Sequence, residues 1–356
     1  MKTTDTTSSG ASADSANSNP TQGRCLLAVT ETERDLFLAG GLVEELQSAA
    51  SEFRYVSPGT LEEGEWEALL LEYRPDVVVG AWSTRPLPEG TTAPGGPVRY
   101  FCGLTGSVRR KVSREQIENG LLVSNWGTSI SRTIAESALM MILSCLRRTS
   151  HWHEVMHYQR GWHKHPENEG QFSLFGRRVG IHGFGRIARD LALLLKPFDV
   201  TITSHTSVPQ ELLDEYGIKR AKSLESLFEE SDVLVELAAL TERNRGSVTE
   251  DMLRRLPENA VFVNVGRGAV VDEEALIRVA EEGKLRVALD VYAKEPPPKD
   301  SPLRDNKNIL LMPHQAGPTP DRMRDSGALA VANLRRYRQQ QPLEGEVDLQ
   351  GYDQQT

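Results

Sequence analysis

The sequence predicts an α/β protein made of open, doubly wound parallel sheets, and three observations carry that prediction. The first is the stretch Val179-Gly180-Ile181-His182-Gly183-Phe184-Gly185-Arg186-Ile187-Ala188, where an apolar run enters a glycine turn and Ala188 to Leu195 continues with helical spacing. Strand, tight turn and helix in that order form the G-x-G-x-x-G/A arrangement, in which a helix amino end meets a dinucleotide pyrophosphate. The second is the alternation of short apolar runs with helical segments, which joins parallel strands through crossover helices. The third is the length of 356 residues, enough for two domains with separate cores.

Bulk properties exclude several classes. A net charge of −9 at pH 7 lacks the basic face of a nucleic-acid binder. No apolar run reaches the roughly 18 residues of a membrane helix, and the first residues carry no apolar signal stretch, so no membrane partner and a cytoplasmic location are expected. Cys25, Cys102 and Cys145 lie far apart without metal-ligand spacing, which suits thiols in a reducing compartment and no metal.

Residues 1–23 are rich in Ser, Thr, Asn and Gly and are expected to be a disordered tail. Strands are expected at 25–29, 75–80, 99–103 and 121–125, with helices at 37–51 and 115–119, giving a first sheet domain over 24–128. Residues 129–150 read as one long helix capped by Ser131 or Thr133. Ile134, Ala138, Leu139, Met140, Ile142 and Leu143 cover most of its circumference, the mark of a buried interdomain helix, and Met140, Met141 and Trp152 are assigned to core packing. The histidine- and tryptophan-rich segment 151–175 is expected to be a surface loop. His151, His153, His157, His163 and His165 lie in it; His153 and His157 are four apart and could share a helix face, but a metal site would want a third ligand and supporting contacts around it.

Beyond the glycine turn, residues 200–206 read as a strand. An NAD-preferring site would carry an acid at its end to hold the ribose 2′-hydroxyl. Thr206 stands there, with no arginine adjacent to take a 2′-phosphate, so NAD and NADP both remain open. Helices at 224–228, 252–256 and 273–282 and strands at 232–237, 260–265, 285–291 and 309–312 complete the second sheet. Residues 321–338 form an amphipathic helix, and the remainder, including 347–356, is expected to be mobile.

Three strand ends carry polar chemistry. Asn264-Val265-Gly266-Arg267-Gly268 sets Arg267 just past one strand, Asp290 and Glu295 follow the next, and Pro313-His314-Gln315-Ala316-Gly317 follows the last. In a parallel sheet such ends converge on the ligand crevice. Arg267 can grip a carboxylate bidentately. His314 can exchange a proton near neutral pH. Glu295, if beside it, would favour the charged imidazolium.

From about Arg24 to Glu346 the chain resembles the D-isomer-specific 2-hydroxyacid dehydrogenases. Four segments carry the likeness: Gly180 to Ala188; Asn264 to Gly268 with Val271 to Leu276; Ala288 to Tyr292 with Glu295-Pro296; and Pro313 to Gly317. The resemblance implies a flavodoxin-like substrate domain (24–128 with 318–346) into which an NAD(P)-binding domain (129–317) is inserted. It implies a homodimer that interconverts a small anionic 2-hydroxy acid and its 2-oxo acid. It assigns Arg267, Glu295 and His314 to catalysis, with Arg267 also binding substrate beside Thr105, Gly106 and Ser107. Gly183, Gly185, Arg186, Ile187, Thr206, Asn244, Val265, Gly266, Asp290, His314 and Gly317 are the cofactor contacts it implies. Glu295 disfavours the formate-oxidising type, which by resemblance has a glutamine there. Thr206, His182 and Gln315 depart from the family pattern. Arg109, Arg110 and Lys111 are either a second anion site or a solvated basic turn. The alternative is a dinucleotide-sensing corepressor on the same scaffold without turnover.

Overall fold

The computed structural model describes residues 23–62, 64–92, 94–162, 170–353 and 355. The expected disordered tail, apart from Gly23, and His163 and His165 lie outside those residues. The first sheet is built from β1 (Arg24–Ala28), α1 (Glu31–Phe37), α2 (Leu42–Ser48), β2 (Glu52–Val56), α3 (Glu65–Tyr73), β3 (Val77–Gly80), α4 (Glu89–Thr92), β4 (Tyr100–Gly103), α5 (Arg114–Glu118) and β5 (Leu122–Ser124). Its order is β2-β1-β3-β4-β5, with every pairing parallel, the flavodoxin-like arrangement. Two helices replace the single one expected over 37–51, because Gly40 and Gly41 both take positive φ and turn the chain. Edge strand β2 has no fully buried residue and lacks the apolar run that reveals a buried strand.

Two helices follow, α6 (Ser131–Arg147) and α7 (Thr149–His157). The expected helix 129–150 is interrupted at Arg148, which takes φ +54. Ala135, Ala138, Met141, Ile142, Cys145 and Leu146 form the buried stripe of α6, while Met140 is 43% exposed, so the helix is not buried on most sides. Neither expected cap forms. The Ser131 hydroxyl reaches Asp190 and the Thr133 hydroxyl donates to the Ile130 carbonyl. The loop expected from 151 is also corrected: its first part is helical because Val155 is buried, and the His153 and His157 rings lie 4.5 Å apart on one face.

The second sheet contains β6 (Arg178–His182), α8 (Arg186–Leu195), β7 (Thr201–His205), α9 (Gln210–Glu215), β8 (Lys219–Arg220), α10 (Leu224–Glu229), β9 (Val233–Glu236), α11 (Glu250–Arg255), β10 (Ala260–Asn264), α12 (Glu273–Glu281), β11 (Leu285–Leu289) and β12 (Ile309–Leu311). All seven strands are parallel, in the order β12-β11-β10-β9-β6-β7-β8. The connection reverses between β6 and β9, so the crevice beyond their carboxyl ends is the switch point where such sheets bind ligands. Val233, Val235, Val261 and Val263 face the stripe of α6 and the Ala188, Leu191, Ala192 and Leu195 face of α8 in one core.

The chain then returns to the first sheet. Ala330, Val331 and Leu334 of α13 (Arg324–Arg338) enter its core beside Leu27, Val79 and Cys102. The mobile C-terminal stretch expected from the sequence is corrected. The Val347 N–H donates to the Val123 carbonyl, and α14 (Leu349–Asp353) buries Tyr352, whose hydroxyl donates to the Val112 carbonyl. All three cysteines are buried, and burial pushes the Cys145 thiol up to about 12. Among the described residues no helix is long and apolar enough to cross a membrane.

Candidate active site

The β6–α8 turn is shaped for an anion. Gly183 has φ +86, and a Cβ there would fall 2.9 Å from the backbone of Leu237 and Ala238, so conformation and space both require glycine. Gly185 begins α8 with no side-chain cap, and a Cβ on it would meet nothing within 4 Å. The first turn of α8 thus lacks a side-chain cap, and its N–H groups with the positive dipole end are the donor set a pyrophosphate needs. Buried Ala188 lets α8 lie close to the strands. Ile187 packs against the same core, and Arg186 ion-pairs with Asp190 one turn on.

The strand beside this turn accounts for His182. In register, His182 of β6 lies between His205 of β7 and Glu236 of β9. Its Nδ1 is 2.7 Å from Glu236 Oε2, and Oε1 accepts the Ala238 N–H. Glu236 is 0% exposed. Burial alone lowers the His182 pKa, but the charge of Glu236 and its hydrogen bond outweigh it, and the net shift is upward from 6.5. A raised folded-state value means the pair's stabilisation is complete below the unfolded value and is lost as pH rises through the folded value. His205 is shifted downward, by burial and then by the His182 charge, so it acts below 6.5. Thermal unfolding above neutral pH should therefore show a falling Tm. Replacing both His182 and Glu236 by leucine should flatten that slope, at some loss of stability because the Ala238 N–H loses its acceptor. A wild-type Tm that stays level or rises as the pH is taken above neutral would contradict this assignment.

Arg267, Glu295 and His314, which the sequence places at three strand ends, line one pocket of about 200 Å³ together with Leu240, Tyr292 and Ala293. Close approach makes this possible. A Cβ on Gly268 would lie 2.0 Å from the Tyr292 carbonyl carbon, so any side chain there would push the β10 and β11 loops apart. Glu295 Oε1 accepts the Tyr292 N–H at 3.0 Å, and Oε2 lies 2.6 Å from His314 Nδ1. A carboxylate at Nδ1 fixes the ring and leaves Nε2 to exchange a proton. Arg267 donates one N–H to the Gly266 carbonyl. Burial lowers its pKa while the nearby Glu295 charge opposes the shift, and the guanidinium stays charged with donors to offer an anion.

Asp290 contributes something the sequence did not reveal. Its side chain is 1% exposed, and its two oxygens accept the N–H groups of Gln315 and Ala316 at 2.7 and 2.9 Å. His314 has φ +55, an uncommon conformation for a non-glycine residue, and the two bonds hold the backbone immediately after it. Gln315 thus enters through its backbone.

The remaining expected residues are placed as follows. The Asn244 side chain shapes its own loop, accepting from Thr241 and donating to the Ala239 carbonyl. Val265 is buried, and Gly266 N–H donates to Asn264 Oδ1. Gly317 follows the clamped segment, with open space where a side chain would be. Thr206 follows the last residue of β7, its hydroxyl accepting the Val208 N–H. Thr105, Gly106 and Ser107 lie beyond β4 in the other sheet and do not line the Arg267 pocket. Of the adjacent cations, Arg109 donates to the Gln355 carbonyl and lies over the Tyr352 ring, while Lys111 donates to the Trp82 and Thr84 carbonyls. Two of the three are thus engaged within the chain, which weakens the case for a second anion site.

A glycine turn at the switch point of a parallel sheet, with an acid–base pair and a partly buried arginine at neighbouring strand ends, defines a dinucleotide-binding oxidoreductase. Comparison with known proteins narrows the class. The family model described as D-isomer specific 2-hydroxyacid dehydrogenase, NAD binding domain, matches residues 139–316, half of the chain. A glyoxylate reductase of Korarchaeum cryptofilum is 32% identical over 229 residues, covering 62% of this chain and 67% of the relative. One of Aeropyrum pernix is 34% identical over 223 residues, covering 60% and 66%. Over 92% of this chain and 99% of the other, the fold matches the crystal structure of a glyoxylate reductase from Paecilomyes thermophila with a TM-score of 0.72 at 24% identity. The chain belongs to the D-isomer specific 2-hydroxyacid dehydrogenase family.

Proposed function

We propose that this protein is an NAD(P)-dependent enzyme that interconverts a short 2-oxo acid and its 2-hydroxy acid, with glyoxylate the first substrate to test. The observation that carries the reading is the 2.6 Å Glu295–His314 pair sharing a small pocket with Arg267. Arg267 binds the substrate carboxylate and polarises the adjacent carbonyl. His314 Nε2 gives its proton to the carbonyl oxygen in reduction and takes the hydroxyl proton in oxidation, with Glu295 holding the ring. A nicotinamide dinucleotide, when bound, would supply the hydride chemistry at the 2-carbon. The glycine turn and the open amino end of α8 would hold its pyrophosphate. Positioned charge and orientation are the main sources of rate. The relatives named glyoxylate reductase support a small substrate, and a pocket of about 200 Å³ suits one. The enzyme acts as a homodimer in this reading, with exposed Met156, Tyr158 and Trp162 suited to a partner surface.

The test is a panel of short 2-oxo acids with NADH and with NADPH, followed by reduced-nicotinamide absorbance. Turnover of at least one acid is expected. Dinucleotide binding without turnover of any acid would favour a sensor instead.

Asp290 gives a second prediction. Asp290→Ala should lower kcat about 100-fold, the order of loss when a reacting group moves by about 1 Å. It should also lower Tm, because two backbone donors lose their acceptor. Steady-state kinetics beside thermal unfolding checks both, and unchanged kcat would rule out the positioning role.

A further inference from the structure

Resting on the reading of this chain as a dinucleotide-dependent oxidoreductase, we propose that the adenosine end of its cofactor site selects a 2′-phosphate, and that Arg220 is the residue that decides it. Three observations meet at the carboxyl end of β7.

First, no carboxylate stands where a ribose diol would be recognised. β7 ends at His205, and Thr206, Ser207 and Val208 follow. Without an acceptor for two hydroxyls, the free diol gains little there. Thr206 and Ser207 bring hydroxyls that can donate to phosphate oxygens.

Second, Arg220 supplies the missing cation from an unexpected direction. It ends β8, the edge strand beside β7, and pairs with Ser204 in register. Its guanidinium reaches back across the loop. Nη1 donates to the Thr206 carbonyl at 2.5 Å, Nη2 to the Val208 carbonyl at 2.6 Å, and Nε to Gln210 Oε1 at 3.1 Å. A guanidinium has five N–H donors, so each terminal nitrogen keeps one beyond these bonds. One side chain thus fixes the Thr206–Val208 turn and sets a permanent positive charge against it. A lysine could supply the charge but not the fork.

Third, the surrounding charge has the matching sign. His205 feels Arg220 on its own side and Arg243 from the loop after β9, and both charges act to lower its pKa, behind the larger effects of burial, of His182 and of Glu225, which alone acts upward. Two carboxylates face this end. Glu236 is buried and already bound to His182 and the Ala238 N–H. Glu225, at the start of α10, is exposed and lies close enough to influence His205. Two arginines against one solvated carboxylate favour a phosphate dianion over a neutral diol.

The test uses adenosine fragments and the full chain. Calorimetric titration with 2′,5′-ADP and with 5′-AMP isolates the 2′-phosphate and does not depend on turnover. In the wild type, 2′,5′-ADP should bind at least about tenfold more tightly, the scale of one charge-assisted contact, and the ratio should shrink as salt is added. Arg220→Gln should bring the ratio near one while 5′-AMP binding is kept. Because loss of Arg220 also releases the loop, Thr206→Asp provides a second arm. It leaves Arg220 in place, installs a diol acceptor and should reverse the preference. Equal binding of the two fragments by the wild type, or an unchanged ratio in Arg220→Gln, would overturn the proposal and leave the dinucleotide site standing. Failure of both fragments to bind would overturn the proposal together with the reading beneath it.

Discussion

His314→Ala is expected to lower kcat by about 10²–10⁴-fold, the range that general acid–base catalysis contributes, while dinucleotide affinity changes little. Hydride transfer to a carbonyl leaves an alkoxide unless a proton arrives, and His314 is the titratable group of the Arg267 pocket whose Nδ1 is already fixed by a carboxylate. Alanine removes the donor and preserves the pyrophosphate turn, which lies on another strand end. Glu295→Gln separates orientation from charge. The amide can still accept from the Tyr292 N–H and meet the ring, but the negative charge is gone, so an intermediate loss of about tenfold is expected. Single-turnover kinetics with a bound reduced dinucleotide would measure both variants. Full activity in His314→Ala would remove this imidazole from the chemistry.

The residues that announce this site in the sequence are those whose surroundings are local. Gly183 and Gly185 stand between an apolar run and a helical one, so their meaning needs no knowledge of the remote chain. Arg267 and His314 are legible because parallel strands bring their carboxyl ends to one edge, a rule of topology rather than of contact. What escaped depends on packing between distant segments. Asp290 reads as a ligand residue at a strand end, and nothing local shows that its oxygens also hold the backbone of Gln315 and Ala316. Arg220 lies on a two-residue edge strand too short for any pattern to reveal, and only the β7–β8 register brings it to Thr206. The last residues looked mobile because they are polar. Val347 and Tyr352 are enough to anchor them, once Val112 and Val123 provide the cover. Arg148 broke a helix that looked continuous, since nothing in a run of good helix formers signals a left-handed turn.

Arg267→Ala is expected to raise KM and lower kcat together, with kcat/KM falling by about 10²–10⁴-fold, the scale for truncating one partner of a buried charge pair. The split between the two parameters carries the mechanism. A residue that only binds the carboxylate contributes equally to ground state and transition state, and its loss would appear in KM alone. One that also polarises the carbonyl strengthens as charge develops on the oxygen, so kcat must fall as well. The conservative variant sharpens the test. Burial already lowers the Arg267 pKa, and a lysine in the same place would be driven toward its neutral form, because ammonium groups shift far more readily than guanidinium. Arg267→Lys should therefore recover part of the lost kcat/KM at low pH and lose it again as pH rises, over a range in which the wild-type arginine keeps its charge. Kinetics of Arg267→Ala indistinguishable from wild type, or an Arg267→Lys enzyme with wild-type kcat at every pH, would mean that the substrate carboxylate is held elsewhere. The Thr105–Ser107 loop of the opposing sheet would then be the next place to look.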